Sequence, residues 1–332
     1  MTSLRFFAAL AVALYHVPFT LSKSVSLTLL PDGVLGVSFF FILSGFILTH
    51  VYSRAPISAP DFYRKRFARI YPLHALTFVL WVLMFFRGWG NTLPEKLNSG
   101  IANILLLQAF FSGPAFNLGY NAVSWSISAE AFFYLLFPTL LRPRLPLFLA
   151  VVWAAVFLFI PSHVSAWLDT AFPNFFFFNP VARLLEFVSG MALYSLFTRW
   201  RPGLWLATAS QVGSIAFLLW AIAVTSGLDT QHRNVALLVP FAGVILTFAY
   251  IGHCSALIGM RWMVVLGECS FALYMTHHML FRAMDGALAV TESRPVALGA
   301  ALALAVIVSV TVHYGFERPL RKVLSPSSGR RH

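Results

Sequence analysis

Arg5 and His16 are the ionisable side chains of an otherwise almost uncharged apolar run near the start of the chain. Eleven residues at about 100° each return both side chains to within roughly 20° of one helix face, ~16 Å apart along the axis. An ionisable group at membrane depth is costly and marks a candidate functional site. Imidazole is also well suited to proton transfer near neutral pH. A histidine that only hydrogen-bonds a neighbouring helix is the competing interpretation, so residue type leaves packing and chemistry open.

Glu130 is the second candidate for chemistry. The run SWSISAEAFFYLLFP places Ser126, Glu130 and Tyr134 on one helix face by their i, i+4 spacing. If spans rise ~1.5 Å per residue through a ~30 Å hydrocarbon core, His16 and Glu130 both lie ~18 Å from the inner edge. A glutamate beside a histidine can orient the ring and stabilise its charged form. We therefore expect a catalytic pair of His16 and Glu130; a protonated Glu130 that only joins two helices is the alternative.

The string DFYRKRFARIYP, expected as a loop before the third span, carries Arg66 and Arg69 on one face by their i, i+3 spacing. Guanidinium groups match the geometry of phosphate oxygens, and the border of the membrane strengthens that attraction. Arg5, on another helix, is expected at the same cytoplasmic level. Anchoring to anionic lipid also explains a basic loop, although it does not explain the position of Arg5.

Two other groups of polar residues fall inside the predicted spans. Ser126, Tyr134 and His277 are expected to line a substrate cavity, although structural packing explains His277 equally well. Arg183 and Glu186 are i, i+3 partners that we interpret as a structural pair rather than catalytic groups. The sequence contains no His/Cys cluster at zinc-ligand spacing, so no metal site is expected.

The composition indicates a polytopic membrane protein. Of 332 residues, 59% are hydrophobic and only 10% are charged, against about 25% charged in soluble domains. Residues 97–111 are apolar but short, and are predicted to form an interfacial or re-entrant helix. Ten stretches are long and apolar enough to span a membrane: 4–22, 33–52, 70–87, 122–141, 145–161, 180–198, 204–225, 234–251, 262–282 and 296–316.

The basic residues predict the orientation. Most of the 23 Lys and Arg residues fall on the side of the N-terminus, so both termini are expected in the cytoplasm. The net charge of +12 then reflects topology, and no nucleic-acid partner is implied. Cys254 and Cys269 fall toward the same side, which argues against a disulfide framework. We expect an all-α fold with one transmembrane domain over 1–317, a short basic cytoplasmic tail over 318–332, and no cleavable signal peptide.

An ordered series of short strings along the chain resembles the membrane acyltransferase-3 superfamily, the OafA-like O-acyltransferases. Each string alone is weak, but together they follow the order of the family and cover essentially the whole chain. The strings are R-x10-H from Arg5 to His16, GVxxFFxLSGF at 36–46, RxxRIYP at 66–72, SWSxxxExFFY at 124–134, RxxEFxxG at 183–190, LYxTH at 273–277 and ERPLR at 317–321.

The resemblance implies transfer of an acyl group, most often acetyl, from cytoplasmic acyl-CoA to a carbohydrate hydroxyl facing the other side of the membrane. Family acceptors include lipopolysaccharide O-antigen, exopolysaccharide, peptidoglycan and small glycosylated molecules. By motif, Arg5 and His16 match the first-span pair, Arg66 and Arg69 the RxxR pair, and Glu130 the fourth-span acid. No permanently bound cofactor and no additional esterase-like domain are expected. The expected location is the bacterial cytoplasmic membrane.

The sequence is compatible with two mechanisms and with one rival function. Arg66 and Arg69, with Arg5, are expected to hold the phosphates of CoA while its pantetheine arm extends toward His16. His16 then acts either as a general base, oriented by Glu130, or as a nucleophile that forms an acyl-imidazole. The rival is a proton-coupled transporter or flippase of glycan intermediates, because an intramembrane His–Glu pair also serves a proton relay. The acceptor, the acyl length and the oligomeric state are not encoded in any recognisable string.

Overall fold

A computed structural model describes residues 1–17, 32–54, 58–86, 92–289 and 294–325. Over these ranges the chain forms helices joined by short connections and contains no β-strand. The predicted all-α, multi-pass class is confirmed. Residues 18–22 of the first predicted span, residue 87 of the third and residues 326–332 of the predicted tail lie outside the described residues.

Seventeen α-helices are defined over these ranges. They are α1 (Thr2–Tyr15), α2 (Gly36–Tyr52), α3 (Ala59–Phe85), α4 (Leu93–Ile104), α5 (Pro114–Asn117), α6 (Trp125–Leu140), α7 (Leu145–Phe159), α8 (Ser162–Ala171), α9 (Phe175–Phe178), α10 (Pro180–Arg199), α11 (Leu204–Val224), α12 (Thr230–Ala236), α13 (Leu238–Phe248), α14 (His253–Ile258), α15 (Arg261–Ala289), α16 (Arg294–Val312) and α17 (Arg318–Leu324). A π-helical turn, His313–Glu317, joins α16 to α17.

The number of helices able to cross a membrane is smaller than the ten stretches predicted. Among the described residues, six helical segments meet the requirements of length and apolarity, and a seventh is counted if α7 and α8, bent by 98°, form one span. The shortfall has simple causes. Helix α1 has 14 residues and α13 has 11, while α15 has 29 residues but carries charges such as Glu268 and Arg282. The multi-pass class therefore holds, while the count of ten and the cytoplasmic location of the termini stay predictions.

The basic string DFYRKRFARIYP is helical and not the loop that we expected. Helix α3 already begins at Ala59, because Ser58 caps it by accepting a hydrogen bond from the Asp61 amide and a proline occupies the first turn. The helix continues without interruption from this polar start into its apolar half. Arg66 and Arg69 are therefore held on a rigid element, one turn apart.

Helix α2 lies at the centre of the bundle and packs closely against α10. A Cβ atom at Gly45 would collide with the backbone carbonyl of Phe187, and one at Gly190 would collide with that of Ile42. Only glycine permits this approach of the two backbones. The tight contact fixes the position of α2, which contributes Ser44 and its neighbours to the site described below.

The segment after residue 317 packs on the bundle. Within α17, the Leu324 carbonyl accepts a hydrogen bond of 2.9 Å from Nε of Arg64 on α3. Glu317, at the junction of the π-helical turn and α17, is 3% exposed. The predicted domain boundary at 317 thus lies inside a packed helical segment.

Candidate active site

A cavity with about 800 Å³ of empty space is bounded by α1, α2, α3, α6 and α15. Six residues singled out from the sequence line it: Arg5, Arg66, Arg69, Ser126, Glu130 and Tyr134. The fold therefore gathers side chains from three helices that are far apart in sequence. His16 and His277 are not part of this lining; they lie against each other at the end of α1.

Arg66 lies on aromatic rings rather than on a carboxylate. Its guanidinium carbon is 5.9 Å from the ring centre of Tyr52, 5.8 Å from that of Phe62 and 5.7 Å from that of Tyr134. One Nη atom donates a long hydrogen bond of 3.4 Å to the Tyr52 hydroxyl, and the buried Nε atom has no partner among the described residues. Aromatic contacts stabilise the cation without neutralising it. Arg66 therefore keeps donors and charge for an anion.

Arg69 is paired with a carboxylate that sequence reasoning did not single out. Its Nη1 atom donates to Oε1 of Glu317, whose Oε2 accepts a hydrogen bond of 2.9 Å from Nδ1 of His313. Arg321 lies 3.9 Å from the same carboxylate. The only signal for Glu317 was its place in the ERPLR string. This network links α3 to the π-helical turn and fixes Arg69 at the cavity wall.

Glu130 receives two hydrogen bonds from hydroxyl groups. The Ser44 hydroxyl donates to Oε1 at 3.2 Å, and the Tyr134 hydroxyl, one turn along α6, donates to the same oxygen. The described residues show no hydrogen bond between Glu130 and His16. The structure therefore places Glu130 with the cavity arginines and not directly on the His16 ring.

His16 ends α1 and is oriented by two acceptors. Its Nδ1 atom lies 2.9 Å from the Val12 carbonyl and 3.2 Å from Nε2 of His277. Nδ1 of His277 in turn lies 3.0 Å from the Leu273 carbonyl. Because a carbonyl oxygen only accepts, Nδ1 of each ring carries a hydrogen. His277 then accepts through Nε2. Among the described residues no hydrogen bond engages Nε2 of His16, so its lone pair is available there for proton transfer or attack.

Tyr274 connects the cavity with this histidine pair. It lies one turn before His277 on α15, lines the cavity, and places its hydroxyl 2.7 Å from the Ser126 hydroxyl. Its ring centre is 6.0 Å from that of His277. Tyr274 stood in the LYxTH string but was not predicted as a site residue. Tyr274, which lines the cavity, and His277, which contacts His16, therefore lie on one face of α15.

Arg183 and Glu186 form the ion pair that their spacing predicted. Nε of Arg183 lies 3.1 Å from Oε2 of Glu186, and both side chains are almost fully buried. Nη2 of Arg183 donates a hydrogen bond of 2.9 Å to the Ser38 hydroxyl, which ties α10 to α2. No group of three or more His, Cys, Asp or Glu side chains in the described ranges is arranged to hold a metal ion.

Comparison with known proteins gives the family. The model of the acyltransferase domain of the acyltransferase-3 family matches residues 1–314. The acyltransferase MdmB of Streptomyces mycarofaciens is 34% identical over 98% of this chain and 92% of its own length. The exopolysaccharide production protein ExoZ of Rhizobium meliloti is 25% identical over 90% of this chain and 94% of its own.

A third relative is longer than this chain. The peptidoglycan O-acetyltransferase OatA of Listeria monocytogenes is 23% identical over 87% of this chain, which spans half of the length of that relative. No solved structure matches the chain significantly. The family match covers nearly the whole sequence and agrees with the helical, multi-pass fold described above. The chain therefore belongs to the acyltransferase-3 family and is a membrane acyltransferase.

Proposed function

We propose that the chain is an O-acyltransferase of the bacterial cytoplasmic membrane. It moves an acyl group, acetyl in the first instance, from cytoplasmic acyl-CoA to a hydroxyl of a carbohydrate or glycoconjugate. One observation carries the proposal. A single cavity runs between an arginine cluster and Tyr274, beside the oriented pair of His16 and His277.

The arginine cluster suits the phosphates of the donor. Arg5, Arg66 and Arg69 all line the cavity. The charge of Arg69 is partly neutralised by Glu317. Bidentate guanidinium groups at a low-dielectric border bind phosphate oxygens strongly. From Tyr134 to Ser126, α6 rises by ~12 Å, so an extended pantetheine arm bound along it brings the thioester toward the histidine pair.

His16 supplies the proton transfer. As general base, its Nε2 takes the proton of the acceptor hydroxyl while the hydroxyl oxygen attacks the thioester carbonyl carbon. The carbon–sulfur bond then breaks, and the CoA thiolate leaves and recovers the proton from the His16 imidazolium. General-base assistance of this kind contributes about 10²- to 10⁴-fold. Direct attack of Nε2 on the thioester, which gives an acyl-imidazole and a free thiol, uses the same nitrogen and is the second mechanism.

Two neighbouring groups have different roles in this scheme. His277 positions His16, because it accepts from Nδ1 and so favours the tautomer with Nε2 free. Glu130 acts inside the cavity, where it lies among the arginines and holds the Ser44 and Tyr134 hydroxyls. The sequence suggested that Glu130 orients the His16 ring; in this scheme His277 orients it instead.

The acceptor class is supported by the relatives. The names of two of them refer to O-acetylation of peptidoglycan and to exopolysaccharide production. A carbohydrate hydroxyl is a poor nucleophile until its proton is removed, which is the task available to His16. A proton-coupled transporter also uses buried His and Glu residues, but it gives no reason for an arginine-lined cavity that ends beside a histidine pair.

The test uses the purified full chain in nanodiscs with acetyl-CoA labelled in the acetyl group. We expect saturable binding of acetyl-CoA, and in cells a set of O-acetyl groups on extracted glycans that disappears with His16→Ala. Absence of donor binding, together with unchanged glycan O-acetylation in the variant, overturns the proposal. Label retained on His16 after trapping without acceptor identifies the acyl-imidazole route, and its absence identifies direct transfer.

A further inference from the structure

A second cavity, lined mainly by polar side chains, lies among α8, α9 and α12. It has about 1080 Å³ of empty space. Its described lining contains two carboxylates, Asp169 and Asp229, and no Lys or Arg. His232 also lines it, but Nδ1 of this histidine lies 2.7 Å from a carboxylate oxygen of Asp229. We call it the acidic cavity, because negative charge is its predominant electrostatic character.

The walls of the acidic cavity are joined by hydrogen bonds. Gln231 is 3% exposed; its Oε1 atom accepts a hydrogen bond of 2.7 Å from the Ser165 hydroxyl, and its Nε2 atom donates to the Phe157 carbonyl. Asp229 caps α12 by accepting a hydrogen bond of 2.9 Å from the His232 amide. Helices α7, α8 and α12 are therefore fixed relative to one another, and the cavity between them is pre-formed.

Several polar side chains of the lining are available to a ligand. Those of Ser162, Asn174 and Thr230 are exposed and make no hydrogen bond within the described part of the chain. Oδ1 of Asp169 accepts a hydrogen bond of 2.9 Å from the backbone N–H of Asn174, and no hydrogen bond among the described residues engages Oδ2. Hydroxyl and amide groups donate and accept, whereas a carboxylate only accepts. This mixture of groups matches the neighbouring hydroxyls of a sugar, which also donate and accept.

An intermediate cavity lies between the acidic cavity and the cavity of the candidate active site. Its lining shares Phe177 and Thr230 with the acidic cavity, and Val37 with the active-site cavity. Trp125 also lines it; the Trp125 ring lies 5.2 Å from that of Phe177, and the next residue, Ser126, lines the active-site cavity. Phe177 is half-buried, and an aromatic face attracts the C–H groups of a sugar ring. The three cavities thus lie in series, and a saccharide held in the acidic cavity can extend past Phe177 toward the active site.

We propose that the acidic cavity binds a sugar of the acceptor and selects acceptors by charge. The inference rests on the proposed function and specifies its substrate class: the bound sugar is uncharged or carries an amine, and glycans with uronic acid or phosphate groups are disfavoured. Asp169 and Asp229 repel an anion and accept hydrogen bonds from hydroxyl or ammonium groups. A phospholipid headgroup is a poorer match, because its phosphate meets no Lys or Arg in the described lining.

The experiment measures binding of free glycosides by saturation-transfer NMR, with the full chain in nanodiscs of neutral phosphatidylcholine. The probes are methyl glucoside, methyl glucosaminide and methyl glucuronide, which differ in charge. For the wild type, we expect the glucosaminide to bind most tightly and the glucuronide least tightly. In Asp169→Asn, which keeps an acceptor for the Asn174 amide, the glucuronide binds more tightly and the glucosaminide more weakly by roughly two- to fivefold each. Binding of the neutral glucoside is unchanged.

A second variant tests the hydrogen bonds, and a matched control tests the position of the charge. Thr230→Val keeps the shape of the side chain but removes a hydroxyl from the lining, so binding of all three glycosides is expected to weaken by roughly two- to tenfold. The control is Glu95→Gln, because Glu95 is an exposed acid outside the lining of the three cavities. It is expected to bind the glycosides as the wild type does.

Three results overturn the inference: a wild type that binds none of the glycosides, unchanged affinities for the two charged glycosides in Asp169→Asn, or equal shifts in Glu95→Gln. Tighter binding of glycerophosphocholine than of any glycoside also overturns it, because that result identifies a lipid headgroup as the ligand. None of these assays contains acetyl-CoA. Their failure is therefore distinct from failure of the proposed function, which is tested by donor binding and glycan O-acetylation.

Discussion

Nε2 of His277 lies 3.2 Å from Nδ1 of His16, and the Val12 carbonyl lies 2.9 Å from the same Nδ1 atom. Both neighbours accept, so the hydrogen of neutral His16 is held on Nδ1 and the free lone pair is on Nε2. His277 is itself fixed by the Leu273 carbonyl and is fully buried. In the transfer proposed above, an imidazolium formed at His16 also donates to Nε2 of His277. The contact therefore orients the free base and stabilises its charged form.

His277→Phe keeps an aromatic ring but removes the acceptor. A hydrogen bond to a charged group is worth about 1.5–3 kcal/mol, so we expect kcat to fall by roughly 10- to 150-fold. The assay is acetyl transfer by the purified variant. His278→Phe is the matched control, because the ring of His278 lies 5.4 Å from that of His16 without an assigned hydrogen bond to it. Equal losses in the two variants contradict a positioning role for His277.

The local patterns of the sequence predicted which side chains share the lining of the candidate cavity. Spacing alone placed Ser126, Glu130 and Tyr134 on one face of α6, and all three line the cavity. The i, i+3 spacing also placed Arg66 and Arg69 on one helix face, and both line the cavity. The ion pair of Arg183 with Glu186 was predicted in the same way. These features depend on helical periodicity, which is written in a continuous stretch of sequence.

Helical periodicity could not predict which residues of other helices these side chains contact. Depth along a span suggested that His16 faces Glu130, but depth does not give the rotation of a helix or its neighbour. The contact of His16 with His277 depends on how α1 packs on α15, some 260 positions apart. The pairing of Arg69 with Glu317 has the same origin, because it is set by the return of the chain after α16.

Glu317→Gln removes the buried carboxylate and leaves Arg69 with an uncompensated charge. Breaking one partner of a buried pair costs about 3–5 kcal/mol, so we expect a clearly lower unfolding temperature in detergent. The double variant R69Q/E317Q is expected to lose less than the sum of the single variants, because the two groups are coupled. Glu268→Gln, which alters an exposed acid on α15, serves as the control. Strict additivity of the two losses contradicts this coupling.

Gly45→Ala tests the close packing of α2 on α10. The new methyl group collides with the Phe187 carbonyl, so the helices must separate. Such overpacking costs about 1–3 kcal/mol, which outweighs the gain of about 1 kcal/mol that alanine brings to a helix. Gly213→Ala in α11 meets no atom within 4 Å and is expected to be neutral or stabilising. Thermal unfolding of the two variants measures the difference; equal midpoints contradict the packing argument.

Glu130→Gln separates charge from hydrogen bonding in the cavity. Glutamine keeps a carbonyl oxygen for the Ser44 and Tyr134 hydroxyls but removes the negative charge near Arg66. A more positive cavity attracts the donor phosphates, so we expect acetyl-CoA to bind several-fold more tightly. We expect kcat to fall by about 100-fold, because the charge that balances the arginines during transfer is lost. Separate measurements of donor binding and turnover check both signs. The control is Tyr134→Phe, which keeps the charge of Glu130 and should leave donor binding unchanged. Weaker binding of acetyl-CoA by Glu130→Gln contradicts an electrostatic role for this carboxylate.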